Sequence, residues 1–171
     1  MNSKPTIGIV EHVSFGQRAI DVPAKIDTGA DSSSIWATKI RVGRDGILRF
    51  ALFGEGSKYY NGKIFKRTDF DVASVKNSNG KSEIRYRTRL VVTIAGRKIR
   101  AKFNLSDRSN NTYKVLIGRR TISNKFVVDV SESKSSLPRR AKTRSLTNKL
   151  KKDPYNFHKK YVKSNGRKIK K

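Results

Sequence analysis

Through the first 130 residues, apolar positions come in short runs that alternate with polar ones, and Gly, Asn, Ser and Asp divide the runs. Residues 6–10, 19–27 and 47–53 read as strands on this pattern. The clearest signal is EIRYRTRLVVTIAGRKIRAKFNL, residues 83–105. Ile84, Tyr86, Thr88, Leu90, Val92 and Ile94 fall on one face, and Arg85, Arg87 and Arg89 on the other. After Ala95-Gly96, Ile99, Ala101, Phe103 and Leu105 alternate with Arg100, Lys102 and Asn104. Period-two patterning on both sides of a Gly-containing turn predicts a β-hairpin with one solvated face. YKVLIG (113–118) and KFVVDV (125–130) are short apolar runs of the kind buried strands show. There is no internal repeat and no long run of helical period before residue 131, so the reading is all-β.

Near residue 131 the character changes. Residues 131–171 hold 15 Lys and Arg against two acids and few aliphatics. Such a segment buries too little apolar surface to offset the entropy of ordering. The expected organisation is a folded domain over 1–131 and a basic, largely disordered tail over 132–171. Net charge over all 171 residues is +27, which favours polyanionic partners without fixing a fold. Tyr155, Phe157 and Tyr161 interleave with the tail's lysines, a pattern suited to RNA or single-stranded DNA through counterion release and stacking.

Absences narrow the chemistry. The chain has no cysteine, which excludes disulfides, thiolate zinc sites and a cysteine nucleophile. The N-terminal apolar run is short and lacks a small-residue cleavage site, so no signal peptide is read. No stretch approaches the roughly 18 apolar residues of a spanning helix. The expectation is a cytoplasmic protein without a membrane contact. His12 and His158 are far apart in sequence, and neither H-E-x-x-H nor G-x-x-x-x-G-K-[ST] occurs, so no metal site and no cofactor are expected.

The candidate chemistry lies in AKIDTGADSSSIW, residues 24–36. Asp27 sits between an apolar run and the small residues Thr28, Gly29 and Ala30. Gly29 permits a close backbone approach, and the small residues leave space above the carboxylate. An isolated Asp in such a turn also fits a plain turn former.

A second segment changes that balance. VLIGRR, residues 115–120, is an apolar strand ending in Gly118-Arg119. The two segments together resemble the retropepsin-like aspartic peptidases, which pair an Asp-Thr/Ser-Gly-Ala turn with a later hydrophobic–hydrophobic–Gly segment. IGIVEHVSF, AKIDTGA, FNLSDRSNNTYKVLIGRR and FVVDVS occur in the order seen in bacterial proteins labelled ATP-dependent zinc proteases, retropepsin-like chains associated with ATP-grasp ligases. The resemblance covers about residues 6–131 and leaves out the tail.

The resemblance implies a closed acid-protease barrel with one lobe per chain. One lobe supplies one aspartate, and no second D-T-G or D-S-G occurs, so two chains must meet as a homodimer to form the catalytic pair. It further implies that Thr28 knits the paired turns together and that Asp31 and Arg119 brace the turn. It makes Asn77, Ser78, Asn79 and Gly80 the tip of a flap over the cleft. Arg85, Arg87 and Arg89 would give that cleft a positive charge favouring acidic peptide substrates, in keeping with ligases that add glutamates to protein tails. Two other readings stay open. One is a nucleic-acid-binding protein with an inactive peptidase-like domain. The other is a mobile-element protease with a basic nucleic-acid-binding tail.

Overall fold

Alternation becomes strand through most of the first part of the chain. A computed structural model describes residues 3–17, 19–76, 82–135 and 141–163. The strands are β1 (Thr6–Ile7), β2 (Val10–Ser14), β3 (Val22–Asp27), β4 (Ser33–Val42), β5 (Leu48–Leu52), β6 (Ile64–Arg67), β7 (Phe70–Lys76), β8 (Ser82–Ile94), β9 (Arg97–Ser106), β10 (Val115–Gly118) and β11 (Val127–Val128). A four-residue helix, α1 (Arg119–Ile122), follows β10 directly. Two compact units result, Met1–Ser136 and Leu137–Lys171.

β8 and β9 form the expected hairpin, with Ile94 opposite Arg97. Ala95 and Gly96 both have positive φ, 45° and 76°, as a two-residue type I′ turn demands. The pairings then run in a circuit. β3 pairs with β2, β2 with β8, β8 with β9, β9 with β4, β4 with β10, and β10 returns to β3. Six strands thus have no free edge among themselves. β5 and β6 extend from β4, and β7 extends from β8.

Side chains directed into this circuit make the core. Val13, Val22, Ile35, Phe50, Phe53, Val92, Ile94, Phe103, Val115 and Ile117 are fully buried. Each contributes about 1.5–3 kcal/mol by leaving water. Phe50 stacks on Phe65 at 5.2 Å, and Phe15 meets Phe103 edge-on at 5.5 Å. The hairpin's apolar row is buried only where it runs through the circuit. Leu90, Val92 and Ile94 are covered, but Ile84 is 68% exposed, because there β8 has β7 for a neighbour and no second layer above it.

The two ends of this unit lock together. β1 pairs in parallel with β11, Ile9 N donates to Glu132 O at 2.8 Å, and Lys134 N donates to Val10 O at 3.0 Å. A side chain at Gly8 would collide with Glu132 O at 2.4 Å. Buried Glu11 accepts from Gly8 N at 2.8 Å and faces the Lys134 ammonium at 3.0 Å. The bonded strap therefore runs past residue 131, where composition changes.

The described part of the tail forms α2 (Ala141–Lys152), α3 (Pro154–His158) and a π-helical turn, Lys159–Lys163. Asp153 caps α3 by accepting from Asn156 N at 3.1 Å. Composition predicts a tail without a core. Residues 145–152 are indeed all exposed, and Phe157 and Tyr161 are only half-covered. Local helix is the new element. The run 141–152 lacks Gly and Pro and is rich in Lys and Leu, which permits helix without requiring burial.

Candidate active site

Asp27 is the last residue of β3 and lies in register with Gly118, the last residue of β10. Core packing of Ala24 and Ile26 on one side of β3 directs Lys25 and Asp27 to the other. The Asp27 side chain is 27% exposed, with the Lys25 ammonium 3.9 Å from Oδ2. The turn closes through Ala30 N to Asp27 O at 3.2 Å and Gly29 N to Asp27 Oδ1 at 3.3 Å. Thr28 and Gly29 are exposed, and Ala30 is half-buried.

The following segment is clamped from the β10 side. Arg119 N donates to Ala30 O at 2.8 Å, and Arg120 N donates to Asp31 O at 3.2 Å. A Cβ at Gly118 would lie 2.6 Å from the Ser32 backbone, so only glycine lets the strands approach this closely. Gly118 N donates to Ser33 Oγ at 3.0 Å, and Ser33 Oγ meets Thr121 Oγ1 at 2.7 Å. Both hydroxyls are buried. The turn is thus held by backbone bonds and a buried hydroxyl pair.

Asp31 receives the Arg119 guanidinium on Oδ1 and Arg120 Nη2 on Oδ2, the latter at 3.3 Å. The hydrogen bond from Arg119, then the charges of Arg119 and Arg120, hold its carboxyl below the usual carboxylate range. All three side chains are more than half exposed, so salt screens this cluster.

Arg85, Arg87 and Arg89 do line one face of β8, but each meets an acid. Arg85 pairs with Glu83 at 2.7 Å and Arg89 with Asp69 at 2.7 Å. Arg87 forks onto Asp71 at 2.7 and 3.1 Å, and Lys102 joins the same carboxylate at 2.7 Å. Hydrogen bonds from Arg87 and then Lys102 lower the Asp71 carboxyl to about 2. The arms leading toward the expected flap are exposed on their apolar side as well, at Val72 and Ile84. Asn77, Ser78, Asn79 and Gly80 lie outside the described residues.

Sequence reasoning missed Arg108. It is half-buried in the connection between β9 and β10, and its Nε donates to Tyr113 O at 3.1 Å. Burial, then the like charge of Arg85, push its guanidinium pKa down, while Asp27 opposes them. Arg108 is therefore within electrostatic reach of Asp27. One arginine among 40 Lys and Arg gives no signal of this, since only the fold brings the two loops together. His12 pairs with Asp21 at 2.7 Å. Among the described residues no group of three His, Cys, Asp or Glu could hold a metal ion, and no helix is long and apolar enough to cross a membrane.

A strand circuit carrying one Asp-Thr-Gly-Ala turn against a Val-Leu-Ile-Gly strand defines a retropepsin-like chain. The RimB-like family, described as retropepsin-like aspartic endopeptidase RimB, matches residues 6–138, and the chain belongs to it. Probable alpha-L-glutamate ligases of Shewanella pealeana and Shewanella halifaxensis are 34% and 33% identical over 138 residues. Those matches take in 77% of this chain but 30% of each ligase, so the chain spans under a third of these relatives. The crystal structure of Lpg0085 from Legionella pneumophila, described as of unknown function, aligns with a TM-score of 0.59 and 26% identity. The alignment covers 77% of this chain and 97% of that one.

Proposed function

We propose that this protein is an aspartic endopeptidase acting as a homodimer, with Asp27 of each chain supplying half of a water-activating pair. The observation that carries the reading is one partly exposed carboxylate at the end of β3, on a turn clamped by β10, in a chain with no second such turn. Two carboxylates about 3 Å apart do not both ionise readily and share one proton, and their apparent pKa values belong to the pair. The ionised member takes a proton from water as its oxygen attacks the scissile carbonyl. The protonated member donates to the carbonyl oxygen. Collapse of the tetrahedral species breaks the C–N bond as the leaving nitrogen takes a proton, and no covalent enzyme intermediate forms. Thr28 would join the two turns, and Asp31 with Arg119 would keep each in place. The hairpin of β7 and β8 would cover the cleft.

The substrate reading is an acidic protein tail in the cytoplasm, made by a glutamate ligase acting in the same process. It is supported by the net charge of +27 and by the names of the ligase relatives. Arg108 near Asp27 would meet a substrate carboxylate, whereas Arg85, Arg87 and Arg89 already have acidic partners within the chain. The tail would hold the enzyme near RNA.

Mixing tests the two-chain site. Titrating wild-type protein with an excess of Asp27→Asn chains should lower cleavage per wild-type chain as mixed dimers form, and a hydroxyl-bearing transition-state analogue should inhibit what remains. Unchanged activity per wild-type chain would sink the shared pair. Dependence on a metal, shown by loss with a chelator, would replace the mechanism altogether. A peptide panel with no preference for Glu or Asp would remove the substrate reading alone.

A further inference from the structure

Immediately after the active-site turn, the chain lines a cavity of about 160 Å³ that the mechanism above does not use. Five cations border it, Arg87, Arg100, Lys102, Arg120 and Lys125, and no carboxylate does. Its border also includes the buried hydroxyls of Ser33 and Thr121. At roughly 30 Å³ per water in the liquid, the space suits a small tetrahedral oxyanion.

The local charge is in excess. Asp71 serves both Arg87 and Lys102. Asp31 serves Arg120 and also Arg119. Asp69 is 3.9 Å from Arg100 and already bonded to Arg89 at 2.7 Å. Lys125 reaches a backbone carbonyl, Ser123 O, at 3.3 Å. Three carboxylates thus face six cations, and Lys125 makes a seventh. Arg87 is also fixed in place. Asp71 occupies its Nε and Nη2, which leaves the Nη1 edge of a rigid planar fork of the kind that recognises phosphate.

We propose that this cavity binds phosphate, either the free ion or the terminal group of a phosphate monoester, and that occupancy is felt at the active-site turn. Two links carry the coupling. Arg120 borders the cavity and bonds Asp31 at 3.3 Å, so a bound dianion competes with Asp31 for it. Ser33 borders the cavity and accepts from the amide of Gly118, the residue in register with Asp27.

The test uses the full chain and a binding readout that does not depend on cleavage. Inorganic phosphate is titrated calorimetrically against potassium chloride of equal ionic strength, with wild-type protein and with the Arg100→Gln/Lys125→Gln double variant. Saturable binding of one phosphate per chain, weakened at least about tenfold in the variant, is expected, since each lost charged hydrogen bond weakens binding by about that factor. The Gly118 amide resonance should shift with phosphate in the wild type. Glycerol 2-phosphate binding as well as or better than phosphate assigns the monoester, and weaker binding assigns the free ion. Equal heats from chloride, or a variant that binds like wild type, overturn the site. A silent Gly118 amide at saturation overturns the coupling. An acidic peptide that displaces phosphate at lower concentration than glycerol 2-phosphate does would make the cavity a substrate subsite and overturn the phosphate assignment.

Discussion

The turn at Asp27–Asp31 and the outer arms of β7 and β8 are both polar, exposed and laced with ion pairs, yet they are held in different ways. The turn is fixed mainly by backbone. Its strand β3 is packed through Ala24 and Ile26, its carbonyls take amides from Arg119 and Arg120, and Gly118 lets β10 come close against the Ser32 backbone. The arms rely on a two-strand ladder and on side-chain pairs such as Arg87 with Asp71, while Val72 and Ile84 lie open. Exposed ion pairs contribute little, about 0–1 kcal/mol each. The lesson is that one sheet carries both a backbone-clamped turn and thinly covered arms, the difference being what lies behind the strands.

The comparison breaks most sharply at the carboxylate itself. Asp27→Asn should cut peptide cleavage at least about a thousandfold, with a thermal midpoint unchanged from wild type. Gly118→Ala comes next. Its methyl group would have to displace the Ser32 backbone, and such overpacking costs about 1–3 kcal/mol. Urea unfolding should report that loss, and cleavage should fall with it. If Gly118→Ala left both intact, the clamped turn would be an incorrect description.

Asp31→Asn removes the negative charge and one of the two oxygens that accept from Arg119 and Arg120, and cleavage should drop about ten- to a hundredfold through misplacement of the turn. The arms should answer more gently. Val72→Ser with Ile84→Ser should raise KM for peptides a few-fold, leaving kcat as in wild type and stability within about 0.5 kcal/mol.

The smallest effect expected is a pH dependence. Asp71 titrates near 2 in the folded chain and near about 3.9 when unfolded. A depressed carboxylate stabilises the fold above its unfolded pKa, and that contribution is lost as pH falls toward the folded value. Asp71→Asn should therefore flatten part of the decline in urea midpoint between about pH 4 and pH 2, by under about 1 kcal/mol given its exposure. An unaltered acid limb would mean that the arms do not use this ion pair.

What the sequence made legible follows the same division. The hairpin, its turn and the strand Val115–Gly118 were readable because period two and apolar content coincide there. β4 was not, because it opens with Ser33 and Ser34, which are buried and satisfied by Thr121 and Ser106. Hydroxyls with distant partners look like loop in a linear reading. Arg85, Arg87 and Arg89 were legible as one face of a strand. Their partners Asp69 and Asp71 depend on the register between β7 and β8, and a one-residue slip would turn every side chain to the other face. The same limit hid Arg108. The Asp-Thr-Gly-Ala turn stood out, but its clamp, with α1 following β10 at once, is a property of the folded backbone.

The lock between β1 and β11 has a consequence for how this unit can be carried by a polypeptide. Thr6 lies opposite Val127, and the strap continues alongside until Lys134 meets Val10, so the chain enters and leaves the first unit along one edge, a few residues apart. A unit of that kind tolerates splicing into a longer protein with little strain on the host. Joining residues near positions 5 and 135 through a short linker, which keeps Glu132 and Lys134 in the strap, and opening new ends at the exposed residues 61–63 between β5 and β6, should give a permuted protein that still folds.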